Sequence, residues 1–293
     1  MPSKHRSVLL HEAVESLTLQ SDDVVVDATL GGAGHALAIA ERLGSGGVLI
    51  GVDADEDAIL RARDVLADAA PASAGWPTVV LINTNFRHLQ TALQEKGIEH
   101  IDKALFDLGW SSYQLEAGRG FSFLSDEPLS MSYSKESTLT AETIVNEWSE
   151  ESIADILYGW GEERYSKRIA KRIVEERARK RIETSRELGE IIKQAVPSAY
   201  RFGRIHPATK SFQALRIAVN DELGDIEDGI TGAWSLLEPG GRIAIITFHS
   251  IEDRVVKRRF LALAKEGGRL VVKKPIVPSA EELAENPRAR SAK

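Results

Sequence analysis

Three valines, Val24 to Val26, lead into Asp27-Ala28-Thr29-Leu30-Gly31-Gly32-Ala33-Gly34-His35, and this stretch constrains the fold most strongly. An unbroken β-branched run suits a parallel strand buried on both faces, and a helix-like segment, Ala36 to Leu43, follows the glycines. The pattern predicts a strand that ends in a glycine loop and opens a helix. Glycines allow close backbone approach and positive φ, and the free N–H groups of the turn form a polar concavity. A second strand, Val48 to Val52, delivers Asp53 at its carboxyl end, where a carboxylate can accept both hydroxyls of a ribose. Together the two stretches predict one site for a nucleoside cofactor.

The rest of the first third repeats this grammar. Ser7 to Leu17 has the apolar spacing of a short amphipathic helix, preceded by Lys4, His5 and Arg6, which form either a solvated terminus or an arm near the cofactor mouth. A helix over Ala54 to Ala69, a loop over Ala70 to Pro77 and a strand over Thr78 to Ile82 follow. Phe86, just past that strand, either lies against a purine face or covers the helix from Leu89 to Lys96. A fourth strand, Ile101 to Phe106, ends in Asp107-Leu108-Gly109-Trp110-Ser111-Ser112-Tyr113-Gln114, so three strand ends direct polar groups to one crevice.

The pattern then changes. Leu115 to Ser137 has no periodicity and reads as a functional surface loop. Helices follow without strands: one capped by Thr140, one capped by Ser149 and running through Trp160, one over Glu162 to Arg181, and one opened by the capping box Thr184-Ser185-Arg186-Glu187. The α/β style returns with a helix begun at Pro207, a helix over Ile226 to Leu237, a strand over Arg242 to Phe248 and a helix over Ile251 to Lys265; Leu270 to Lys273 could add an edge strand. The expected organisation is a discontinuous α/β domain, residues 1–123 and 206–293, interrupted by a helical substrate-recognition domain, residues 124–205.

Bulk properties narrow the chemistry. The 293 residues are 43% hydrophobic and 28% charged, with no apolar run long enough to span a bilayer and no secretion signal, so a cytoplasmic protein without membrane association is expected. Having no cysteine excludes disulfides, thiolate metal ligands and cysteine nucleophiles, and with them thiol-mediated attack on a pyrimidine. His35, His206 and His249 lack metal-ligand spacing, and no metal is expected. A net charge of −7 argues against indiscriminate nucleic-acid binding but leaves room for a local basic surface. Glu162 to Arg181 holds nine basic and four acidic residues, with Arg164, Lys167, Arg168 and Lys171 at helical spacing, which suits either a phosphate-tracking face or a solvated helix with internal pairs.

For the cofactor, a dinucleotide and S-adenosylmethionine are the choices. The G-x-G-x-x-G spacing of dinucleotide sites is broken because Leu37 fills the third glycine position, and a methionine-derived cofactor, lacking a pyrophosphate, needs less phosphate-cradling geometry. Asp27 either counters the cofactor's ammonium and organises loop N–H groups or is a structural cap. In methyl transfer to an exocyclic amine, the amine must face the methyl in line and its proton needs an acceptor, a catalytic role open to Asp107.

The chain resembles the bacterial small-subunit ribosomal RNA cytidine N4-methyltransferase family along almost its full length. The matching runs are His5 to Leu10, Asp27 to His35, Phe106 to Ser112, Gly120 to Phe123, Gly161 to Arg164, Ile205 to Thr209, Phe212 to Arg216, Val219 to Leu223, Phe248 to Ser250 and Lys273 to Pro278. The resemblance implies a class I S-adenosylmethionine-dependent methyltransferase, a Rossmann-like parallel sheet with an inserted all-helical domain. It further implies action on the N4 amine of a 2′-O-methylated cytidine in the decoding centre of 16S rRNA, within the assembled small subunit. Cofactor positions carry over to Ala33, Gly34, His35, Asp53, Phe86, Asp107 and Gln114. Substrate-side candidates are Trp110, Ser111, Tyr113, Arg164, Lys167, Arg168, Lys171, His206, His249 and Ser250. Family members usually carry valine at Trp110, proline at Tyr113, and aspartate and arginine at Ser130 and Ser132; Trp110 either stacks on the target base or fills a gap. A non-catalytic ribosome-binding protein and an NAD-dependent oxidoreductase are the alternatives.

Overall fold

The computed structural model describes residues 6–70, 75–109, 118–133 and 138–293. In chain order the first part holds α1 (Leu10–Leu17), β1 (Val24–Asp27), α2 (Gly34–Ala40), β2 (Val48–Asp53), α3 (Glu56–Ala69), β3 (Thr78–Asn83), α4 (Leu89–Glu95) and β4 (Ile101–Asp107). The middle holds α5 (Ala141–Glu147), α6 (Glu150–Gly159), α7 (Ser166–Arg177), α8 (Ser185–Ala195), α9 (Ser198–Arg201) and α10 (Thr209–Asn220). The last part holds α11 (Glu222–Leu236), β5 (Leu237–Ile246), α12 (Ser250–Leu263) and α13 (Ala280–Glu285). Two compact units result, residues 1–109 with 223–293, and residues 110–222.

In the first unit five parallel strands form one sheet in the order β3-β2-β1-β4-β5. This Rossmann-like doubly wound sheet is the core expected of a class I methyltransferase. Because successive side chains point to opposite faces, the apolar runs supply two cores at once. Val25, Leu49 and Leu105 face α1, α2 and α3, whereas Val26, Ile50, Ala104 and Phe106 face α4, α11 and α12. The last strand starts earlier than Arg242: Leu237 pairs with Ile101, the register then jumps across Pro239-Gly240-Gly241, and Arg242 pairs with Lys103. Beyond Ile246, Thr247 exchanges two backbone hydrogen bonds with Lys293. No edge strand forms over Leu270 to Lys273; flanked by Gly267-Gly268 and Pro275, Leu270, Val271 and Val272 stay exposed.

The second unit is helical around its own core of Leu129, Met131, Ile144, Ile153, Leu157, Ile169, Ile173, Leu188, Ile192 and Leu215. Thr140, Ser149 and Thr184 each cap the helix that follows, by accepting N–H bonds from Thr143, Ser152 and Glu187. The expected box at Thr184 is half made, since the Glu187 carboxylate takes the N–H of Glu183. The compact units meet the chain at 109/110 and 222/223, outside the 123/124 and 205/206 divisions read from the sequence. Packing accounts for the difference: Phe121, Phe123 and the apolar side of α10 all belong to the helical core. The basic helix is also shorter than Glu162 to Arg181, running only from Ser166 to Arg177. Among the described residues no helix is long and apolar enough to cross a membrane.

Candidate functional site

The site of the first unit follows from strand lengths. Asp27 at the end of β1 pairs with Gly51 on one side and Leu105 on the other, so Asp53 and Asp107 each stand two residues further along, roughly 7 Å at the usual strand rise. The recess lies where the chain stops adding strands on the β2 side and starts on the β4 side, which is where open α/β sheets bind ligands.

The glycine loop fills the floor of this recess. Gly31 N–H donates to Asp53 Oδ2 at 2.9 Å and Asp55 N–H to Oδ1 at 2.8 Å. Leu30 lies so close over β2 that a Cβ on Gly51 would stand 2.6 Å from its Cδ2. Ala33, left-handed at φ 62°, starts α2, and a Cβ on Gly34 would fall 2.2 Å from Ser7 Oγ. Of the amino-terminal arm, Arg6 is exposed and pairs with Glu285, Leu9 N–H donates to Glu282 at 2.7 Å, and Val8 carbonyl meets His35 Nε2 at 3.1 Å. Lys4 and His5 lie outside the described residues.

Asp107 closes the other side. Its N–H donates to Thr29 Oγ1 at 2.6 Å, its Oδ2 stands 3.5 Å from His35 Nδ1, and its buried Oδ1 has no hydrogen-bond partner among the described residues. Asp27 Oδ1 accepts Thr29 N–H at 3.1 Å. Burial, opposed by that N–H and reinforced by the Asp53 charge, pushes the Asp27 carboxyl up to about 7. Burial also raises Asp53, against the N–H groups of Asp55 and Gly31. Asp107 is raised well above the usual carboxylate range by burial, then by Asp27 and Glu252. Three carboxyl groups thus crowd one water-poor recess, an arrangement relieved by a positive charge and worsened by a negative one.

Gly109, at φ 101°, turns the chain after β4 with Phe248 against it. The next predicted residues, Trp110, Ser111, Tyr113 and Gln114, lie outside the described residues. Phe86 meets Phe106 edge to face at 5.6 Å and occupies the space a Cβ on Gly229 of α11 would need. His249 is the N-cap of α12: its Nδ1 accepts Glu252 N–H at 3.3 Å, while Glu252 Oε2 accepts the N–H groups of Phe248 and His249, and Ser250 begins the helix. Sequence reading passed over Glu252, although a carboxylate three residues after a polar cap residue is the mark of a capping box. It also passed over Thr29, which holds Asp107 from the loop.

In the second unit the basic run divides in two. Arg172 pairs with Glu175 and Glu176, Arg179 with Glu176, Lys180 with Glu187, and Arg181 with Glu142 and Glu147. Arg177 donates to Val145 carbonyl. No ion pair among the described residues reaches Lys167, Arg168 or Lys171, all exposed on α7. Arg164, just before the helix, lies over the rings of Tyr165 and Tyr200 at 4.9 and 4.8 Å. Fully buried Glu163 sets this stack by accepting Tyr165 N–H at 2.8 Å and Tyr200 O–H at 2.7 Å. His206 stacks on Phe123 at 4.3 Å and accepts Ala208 N–H, and burial, then Lys193, lowers its pKa, so it anchors its loop as a neutral ring.

Comparison with known proteins agrees over nearly every residue. The model of the MraW methylase family matches residues 2–293. Ribosomal RNA small subunit methyltransferase H of Acetivibrio thermocellus is 46% identical over 310 residues, covering 100% of this chain and 98% of that protein. Its counterpart in Brevibacillus brevis is 44% identical over 306 residues, covering 99% and 96%. The Clostridioides difficile protein of the same name is 44% identical over 310 residues, covering 100% and 98%. With that span and those identities, the chain belongs to the MraW methylase family.

Proposed function

We propose that the protein transfers a methyl group from S-adenosylmethionine to the exocyclic N4 amine of a cytidine, already 2′-O-methylated, in the decoding centre of 16S rRNA in the small ribosomal subunit. Its relatives are named as small-subunit ribosomal RNA methyltransferases, and the crowding of Asp27, Asp53 and Asp107 is the observation that carries the choice of cofactor. A pyrophosphate would add negative charge beside raised carboxyls, whereas a ligand bearing a sulfonium and an ammonium supplies the missing positive charge. Asp107 Oδ1, without a hydrogen-bond partner among the described residues, and the close-set Gly34 and Gly51 fit such a ligand.

When bound, S-adenosylmethionine supplies an electrophilic methyl on a cationic sulfur. Ala33, Gly34 and His35 would hold it from the loop, Asp53 by its ribose hydroxyls, with Phe86, Asp107 and Gln114 completing the contact. Asp107 orients the attacking amine and accepts its proton. Trp110, Ser111, Tyr113, His249 and Ser250 are the residues that the family resemblance assigns to the target base. The helical unit, residues 110–222, recognises substrate: Arg164, Lys167, Arg168 and Lys171 take phosphates, and His206 holds the loop next to them. An acidic protein with a local basic face on α7 suits an assembled subunit, where shape and several contacts share the selection, better than naked RNA.

Calorimetry tests the cofactor directly. S-adenosylmethionine binds, NAD does not, and affinity rises several-fold from pH 6 to pH 8 as Asp27 ionises. Tight NAD binding, or affinity for S-adenosylmethionine that falls over that range, contradicts the reading.

A further inference from the structure

The amino-terminal arm, the glycine loop and β4 meet at one buried chain of atoms that cofactor binding alone does not account for. Val8 carbonyl stands 3.1 Å from His35 Nε2, and His35 Nδ1 stands 3.5 Å from Asp107 Oδ2. Both side chains are shielded, the ring at 4% exposure and the carboxyl at 22%. A backbone carbonyl can only accept, so the Val8 contact puts a proton on Nε2 and leaves Nδ1 as the nitrogen that answers Asp107. A neutral Nδ1 and a bare carboxylate both offer lone pairs, and at this separation in a buried site they repel unless a proton lies between them.

We propose that His35 and Asp107 hold one proton in common, and that His35, as a positioning residue, takes it onto Nδ1 so that Asp107 faces the amine as a carboxylate. This rests on the methyl-transfer reading above. The amine nitrogen gains the methyl carbon as that carbon's bond to the sulfonium sulfur breaks, the bonding pair staying on sulfur as a neutral thioether, and the amine loses one N–H proton. That proton passes to Asp107 Oδ1, the oxygen without a hydrogen-bond partner among the described residues, and the pair, then holding two protons, returns one to water at the end of turnover. Two neighbouring carboxyl groups oppose a bare Asp107 carboxylate: Asp27 from the end of β1, itself raised by Asp53 at the end of β2, and Glu252 from the first turn of α12, paired with His249. Burial, then Asp27 and Glu252, raise the Asp107 carboxyl and so favour its protonated form. His35 is the basic group on the loop side that can remove that proton.

Two measurements test the pair. In full-length protein carrying 15N-histidine, NMR near pH 7 is expected to show His35 protonated at both nitrogens in the parent. In Asp107→Asn it is expected to be neutral, with its proton on Nε2. A neutral His35 in the parent, unchanged by Asp107→Asn from pH 6 to pH 9, overturns the proposal. In methyl transfer to isolated, unmodified small subunits, His35→Asn still donates to Asp107 but accepts no proton. Its acid limb of kcat is expected to move up by at least about one pH unit with KM for the subunits unchanged. An unmoved limb with only a lower Tm makes His35 merely structural and overturns it too; His35→Gln replaces the variant if His35→Asn fails to fold. If the parent labels no cytidine amine, the methyl-transfer reading fails, while the NMR result still decides whether the proton is shared.

Discussion

A carboxyl buried as completely as Asp27 ties stability to pH. Folded, it titrates at about 7, against 3.8 for the free group, so between those values the folded protein holds a proton that the unfolded chain has lost. The stability attached to this group is full below about pH 4, declines as pH rises and is lost above about pH 7, a change of roughly 4 kcal/mol for three units of difference. Asp27→Asn keeps the oxygen that accepts Thr29 N–H but removes the charge. The urea midpoint of the variant is therefore expected to match the parent near pH 3.5, to exceed it modestly by pH 5 and to exceed it most at pH 8. A parent curve that rises from pH 5 to pH 8, or a variant that tracks it, contradicts the assignment. Gly51 is a second position where one atom decides. Three Leu30 side-chain carbons lie 2.6 to 2.9 Å from where its Cβ would be, so Gly51→Ala is expected to cost about 1–3 kcal/mol in denaturant unfolding and to displace the glycine loop. Leu30→Ala in the same chain is expected to return part of that loss, whereas strictly additive effects would mean that the two residues do not press on each other.

At the scale of elements, the sequence was most legible where one pattern had one physical cause. Val24 to Val26 and Val48 to Val52 read as buried parallel strands because both faces are covered, and the helices opened by Thr140, Ser149 and Thr184 are betrayed by short side chains that serve their own N–H groups. It was least legible where the partner comes from elsewhere in the chain. Leu270 to Lys273 has strand composition but forms no strand and stays exposed. The run from Arg164 to Arg181 reads as one basic face, yet Glu142, Glu147 and Glu187, supplied by α5, the end of α5 and α8, neutralise its far end. The two halves should behave differently. Lys167→Glu, Arg168→Glu and Lys171→Glu together are expected to weaken binding to small subunits at least tenfold and to lower the slope of log K against log salt by about two. Arg179→Glu and Lys180→Glu are expected to leave that slope within about half a unit. Equal slopes for both sets would remove α7 from the substrate face.

At the scale of the molecule, the chain holds a parallel sheet whose strand ends gather three carboxyls and a helical unit whose α7 exposes Lys167, Arg168 and Lys171. The discontinuous arrangement was visible in the sequence as a change from alternating strands and helices to helices alone. The edges of the compact units were not, because Phe121, Phe123 and α10 join the helical core through contacts that no local pattern announces. The site was readable where a residue ends a strand, as Asp27, Asp53 and Asp107 do, and hidden where it acts through tertiary contact, as Glu252 and Val8 do. In the proposed reaction a methyl carried by a cation is delivered to a cytidine amine held at Asp107. The most direct measurement incubates parent and Asp107→Asn protein with isotope-labelled S-adenosylmethionine and unmodified small subunits, then digests the RNA and identifies the labelled nucleoside. The account predicts one labelled product, a cytidine methylated at N4, formed at least about a hundredfold more slowly by the variant; label on a ring carbon or a ribose oxygen, or equal rates for the two proteins, would contradict it.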